Sequence, residues 1–153
     1  MSDSNRAELL TLDDLTVGQR FVSAPHTLDA PQIEAYAAQF DPQPFHLSEA
    51  TAKDTFFKGL AASGWHTASI TMRLLVQSVP LKGGVIGAGG EIAWPRPTRP
   101  GDTLRVESEV REIRPSKSRP DRGMVIMTSE TRNQHDEVVQ QITMRLVVPR
   151  RGA

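Results

Sequence analysis

The stretch LAASGWHTASITMRLLVQSVP, residues 60–80, decides how the rest of the chain is read. Gly64 stands near its start and Pro80 ends it, as befits a helix whose interior admits no proline. Trp65, Ala68, Met72, Leu75 and Val79 fall at helical spacing as one stripe, and Ile70, Leu74 and Val76 add apolar groups elsewhere. The polar remainder includes a narrow row of His66, Ser69, Arg73 and Gln77. A helix this apolar around its girth is expected to be largely enclosed by other structure. It is not expected to span a membrane, because His66, Arg73 and Gln77 interrupt it.

Reading outward, the flanks supply the enclosure. Upstream, residues 17–28 read as a first strand, with Pro25 suggesting an edge position. Asp29 is a credible N-cap for a helix over 30–40, in which Ile33, Tyr36, Ala37 and Phe40 recur at i, i+3, i+4, i+7. Ser48 is placed to cap a short turn of helix through Lys53. Downstream of Val85 the apolar period changes to two. Leu104, Val106 and Val110 alternate with Arg105, Glu107, Glu109 and Arg111, the pattern of a half-buried strand. Residues 123–133 form another strand candidate, and Val138, Ile142, Met144, Leu146 and Val148 share one face of a last one. Polar loops part these strands as in an antiparallel meander, and PRPTRPGD (95–102) is a stiff turn before them. Strand, helices, then four strands argue for α+β, with a curved antiparallel sheet wrapped around a central helix at about Trp65–Val79. That is the hot-dog arrangement.

At 153 residues the chain is expected to be a single domain over 1–153, with 1–10 and 150–153 as loose ends. Eighteen basic and eighteen acidic residues balance, so no field for nucleic acid or an anionic membrane is built in. The absence of cysteine excludes disulfides, thiolate nucleophiles and cysteine-ligated metals. The opening MSDSNRAELL does not read as a signal peptide, so a cytoplasmic protein is the expectation. Four scattered histidines show no metal-ligand spacing.

Ahead of the central helix lies FDPQPFH, residues 40–46, with Asp41 and His46 on either side of Pro42 and Pro44. The prolines push their preceding residues out of the helical region. Fully extended, the stretch would carry the two side chains roughly 15 Å apart at about 3.1 Å per residue. They meet only if the chain turns, and Asp-Pro is a good turn starter. The stretch is either a plain connector or a rigid loop that aims both groups at one point.

An ordered set of landmarks resolves the choice. Asp41-Pro42-Gln43-Pro44-Phe45-His46 follows a helix; Ala52, Phe56, Phe57, Gly59, Ser63 and Gly64 lead into the central one; Gly101-Asp102-Thr103 and Asn133-Gln134 come later in the same order. Residues 27–149 thereby resemble the MaoC-like dehydratases, a branch that includes the (R)-specific enoyl-CoA hydratases. The resemblance implies a hydro-lyase adding or removing water across the double bond of an enoyl-CoA thioester. Asp41 and His46 would act on one water molecule, and the Gly64 N–H would face the thioester oxygen. The chemistry suits the residues. Carboxylate and imidazole are general acid–base groups tunable by burial, and free N–H groups at a helix start suit a developing oxyanion. Gln43, Ser63, Phe45 and Trp65 are the candidate substrate-binding residues. Gln43 departs from the family's asparagine, keeping the amide but lengthening its reach.

The same resemblance implies no cofactor beyond the coenzyme A carried by the substrate, no metal, and a homodimer or higher oligomer. Apolar surface left by one curved sheet around one helix points to an oligomer as well. Two alternatives share the fold and the ligand: an acyl-CoA thioesterase and a non-catalytic acyl-CoA-binding protein. Arg96, Arg99, Arg114 and Lys117 are candidate partners for the phosphates of coenzyme A. GGVIGAGG (83–90) lacks the spacing of a dinucleotide fingerprint and reads as a glycine-rich bulged strand. His66 and Arg73 read as solvated or hydrogen-bonded at a subunit contact.

Overall fold

A computed structural model describes residues 8–152. The elements in chain order are β1 (Arg20–Val22), β2 (His26–Thr27), α1 (Ala30–Phe40), α2 (Pro44–Leu47), α3 (Glu49–Ala52), α4 (Gly64–Ser78), β3 (Ile86–Ala93), β4 (Thr103–Pro115), β5 (Arg122–Arg132) and β6 (Val138–Pro149). The strands form one antiparallel, six-stranded sheet in the order β1-β4-β5-β6-β3, with β2 also on β4. The architecture is the α+β hot-dog, a curved sheet wrapped on α4. Among the described residues no helix is long and apolar enough to cross a membrane.

Local chemistry explains most boundaries. The Asp29 carboxylate accepts the Gln32 N–H at the start of α1, and Pro31 fits the first turn, where its missing N–H costs nothing. The Ser48 hydroxyl accepts the Thr51 N–H to start α3. Along β4, Leu104, Val106, Ser108 and Val110 are buried while their neighbours are only partly so, as period two requires.

The core falls into two apolar groups. One gathers Leu75, Val79, Val110, Val125, Met127, Leu146 and Val148; the other gathers Leu28, Ile33, Leu60, Ile70, Leu74, Leu104 and Val106. Buried hydroxyls also lie beneath α4. Ser108 and Ser129 bond across the sheet at 2.8 Å, and Thr71 meets Thr131 at 2.6 Å, so these hydroxyls are buried without being orphaned.

Several sequence expectations are corrected. The strand expected over 17–28 is broken at 23–25. There the Ser23 hydroxyl accepts the Val106 N–H at 2.8 Å, standing in for a main-chain carbonyl, and Pro25 has no N–H to continue the ladder. In β6, Val139 rather than Val138 is fully buried, because the register with β5 shifts between Thr131 and Arg132. The core face of α4 is also different from the expected stripe. It carries His66, Thr67, Ile70, Thr71, Leu74 and Leu75, whereas Trp65, Met72 and Val76 are 58%, 37% and 50% exposed. The helix is therefore covered on one side, not around its girth. Threonine methyls pack well while the Thr67 and Thr71 hydroxyls find partners in Thr98 and Thr131, so polarity misled the assignment of faces. Of the ends expected to be loose, 1–7 and 153 lie outside the described residues. Leu10 pairs with Leu81, and the main chain of Arg150 and Arg151 bonds Asp121 and Asp13.

These faces give an ordering. Leu74→Ala should lower the unfolding free energy by about 2–5 kcal/mol in urea melts, the usual cost of a core truncation, and Met72→Ala by distinctly less.

Candidate active site

The two prolines of FDPQPFH produce a turn followed by one turn of helix. Asp41 ends α1, donating its N–H to Ala37 O, and the Gln43 N–H then bonds back to Asp41 O at 2.8 Å. Gln43 is the N-cap of α2 and Pro44 its first residue, so His46 is carried round by that helix, its N–H on Gln43 O at 2.9 Å. The result brings His46 Nε2 to 3.4 Å from Asp41 Oδ2.

Both side chains are held from the segment that enters α4. His46 Nδ1 lies 2.6 Å from Ala61 O. A carbonyl oxygen only accepts, so Nδ1 carries the hydrogen, and in the neutral ring the Nε2 lone pair faces the carboxylate. The Ser63 hydroxyl donates to Asp41 Oδ2 at 2.7 Å, and the Gln43 side-chain amide donates to Oδ1. Burial works to raise the Asp41 carboxyl, but the hydrogen bonds from Ser63 and Gln43, with His46 beside it, outweigh burial and hold it below the usual carboxylate range. Asp41 is thus an anion at neutral pH. Ser63 also caps α4, its oxygen accepting the Trp65 N–H at 3.3 Å.

Gly64 is the first residue of α4, and its N–H has no acceptor among the described residues. The residue must be glycine for a packing reason: a Cβ there would lie 2.8 Å from the Trp94 ring. The Trp94 indole is fixed in turn by its N–H, which donates to Gln140 Oε1 at 2.9 Å, and by an edge-to-face contact with Trp65 at 5.2 Å.

Asp41, His46 and Gly64 line one cavity of about 540 Å³. Of the four candidate substrate-binding residues, only Trp65 lines it. Ser63 is fully buried behind Asp41, Gln43 braces the same carboxylate from outside, and Phe45 packs edge-on to His46 and against Phe57. The sequence reading missed Trp94, Thr67 and Thr98, which also line the cavity. No local spacing ties them to Asp41, because Thr67 lies on α4 and Trp94 and Thr98 lie in the segment between β3 and β4. Proline crowding around Thr98 was the one available signal.

Among the four candidate cations, Arg96 alone reaches the cavity, with Nε 3.3 Å from Glu137 Oε2. The Arg99 guanidinium is occupied, donating to the carbonyls of Phe57, Gly59 and Leu60. Arg114 pairs with Glu112, and Lys117 lies in the β4–β5 loop. His66, expected to be solvated or hydrogen-bonded at a subunit contact, is buried and stacked on Tyr36 at 4.4 Å, which excludes the first of these; burial, then the neighbouring His26, lowers its pKa.

Comparison with known proteins shows the family. The family model described as MaoC like domain matches residues 14–136. The crystal structure of a MaoC-like dehydratase from Rhodospirillum rubrum is 60% identical, with TM-score 0.92, covering 94% of this chain and 99% of that one. The unliganded R-hydratase PhaJ1 from Pseudomonas aeruginosa is 28% identical, with TM-score 0.76, covering 92% and 86%. An (R)-hydratase from A. caviae involved in PHA biosynthesis is 29% identical, with TM-score 0.69, covering 89% and 97%.

The Ser63 bond makes a prediction about titration. In Ser63→Ala the Asp41 carboxyl should titrate at higher pH by carbon-13 NMR, and loss of the cap should cost about 1 kcal/mol. A carboxyl depressed by folding stabilises above its unfolded pKa, and that contribution disappears as pH falls through the folded value. The wild type should therefore lose more stability than Ser63→Ala on acidification below about pH 4, where unperturbed aspartates titrate.

Proposed function

This chain belongs to the MaoC-like family of dehydratases and (R)-hydratases, and on that footing we propose that it hydrates or dehydrates enoyl-CoA thioesters. The observation that carries the reading is the 3.4 Å approach of His46 Nε2 to Asp41 Oδ2 in a cavity that Gly64 also lines. Both atoms accept hydrogen bonds, so one water can donate a hydrogen to each. Attack of the water oxygen on Cβ forms the C–O bond as a proton passes to the pair. The π electrons move toward the thioester oxygen, where the Gly64 N–H stabilises the enolate. The pair then returns a proton to Cα and ends as it began, so no cofactor is required beyond the coenzyme A of the substrate. Gln43 fills the asparagine's place by bracing Asp41, a role its longer side chain reaches.

The active form in this proposal is a homodimer or higher oligomer. Exposed Trp65, Met72 and Val76 on α4 and the unpaired edge of β3 supply apolar and main-chain surface for a second copy.

Purified protein should bleach the enoyl absorbance of crotonyl-CoA without releasing thiol. Asp41→Asn and His46→Ala should each lower kcat by about 10²–10⁴. Full activity in either variant would refute the assignment, and stoichiometric thiol release would turn it toward thioester hydrolysis.

A further inference from the structure

The inner wall of the cavity holds two hydroxyls that the reaction does not use. Thr67, one turn into α4, and Thr98, in the turn before β4, both line the cavity and are only 2% and 3% exposed. They are held firmly. The main-chain carbonyl of Thr98 accepts the Ala62 N–H at 2.9 Å, which ties the 95–98 turn to the segment entering α4. Thr67 Oγ1 donates to Thr98 Oγ1 at 3.2 Å. That bond consumes the Thr67 proton and leaves the Thr98 proton without an acceptor among the described residues. A buried donor left unmatched is destabilising, and a ligand acceptor placed there relieves it. The other buried threonine pair, Thr71 with Thr131, does not line the cavity.

We propose that Thr67 and Thr98 form a hydrogen-bonding subsite in which the Thr98 hydroxyl donates to an oxygen of the bound thioester, with Thr67 orienting it. This deepens the reading above and rests on it for the ligand class. The oxygen belongs either to a pantetheine amide carbonyl or to a polar group on the acyl chain; the chemistry recognised is the same. An aliphatic wall would not distinguish either. A site built around a hydrogen bond rejects a ligand that cannot complete it more strongly than an apolar wall rejects an added group.

The test is binding of two saturated ligands, butyryl-CoA and γ-hydroxybutyryl-CoA, read by the fluorescence of the two tryptophans, both of which line the cavity. Thr98→Val should weaken binding roughly tenfold, the size of one neutral hydrogen bond, and Thr98→Ser should bind as the wild type does. Equal weakening of both ligands assigns the oxygen to pantetheine; weakening of the hydroxylated ligand alone assigns it to the acyl group. Unchanged affinity of Thr98→Val for both ligands overturns the proposal. So does a Thr98→Ser variant as weak as Thr98→Val, since the loss would then follow packing and not the hydroxyl. Should Thr98→Val fail to fold, Thr98→Cys, similar in size and a poor donor, carries the same expectation. A wild type that binds both ligands but hydrates no enoyl-CoA refutes the reaction alone, and the affinities still decide the subsite.

Discussion

The hydroxyl of Ser63 joins two parts of the molecule that sequence keeps apart. It accepts the Trp65 N–H at the start of α4 and donates to the Asp41 carboxylate at the end of α1. Two residues earlier, the Ala61 carbonyl holds the His46 ring. One residue later comes Gly64, whose N–H opens the helix with no acceptor among the described residues. The four-residue approach to α4 therefore fixes both ionisable groups and supplies the main-chain donor beside them. Because Ser63 is wholly buried, this joint is shielded from competing water, and its hydrogen bonds keep the carboxylate charged despite burial.

The opposite wall depends on a second chain of contacts. Gln140 on β6 holds the Trp94 indole, and the indole lies where a side chain at residue 64 would be. Glycine is thus fixed by the approach of an aromatic ring. Sheet and helix are coupled through the same contact. The prolines between Asp41 and His46 lend rigidity to the pair itself.

Much of this was legible in the residues. The Asp29 and Ser48 caps and the strands over residues 104–110 and 123–133 follow from local rules, because each rests on neighbours in sequence. Those rules left the meeting of Asp41 and His46 open, and the family resemblance supplied it. What escaped detection depends on partners distant in sequence. Thr67 and Thr71 look polar, yet face the core because Thr98 and Thr131 satisfy their hydroxyls. Met72 looks apolar, yet lies on the open side of α4. A register shift exchanged Val138 for Val139, and periodicity has no memory of bulges. Ser63, Gln43 and Phe45 were found as residues of the region, but their contacts support the acid–base pair and not the cavity wall.

The central claim is that carboxylate, imidazole and amide address one substrate in a single cavity. A crystal structure with a bound non-hydratable acyl-CoA analogue tests it most directly. The account predicts the thioester oxygen at about 3 Å from the Gly64 nitrogen, with a water bridging Asp41 and His46 over the acyl β-carbon. An acyl group bound elsewhere, or a thioester oxygen turned away from the start of α4, would contradict it.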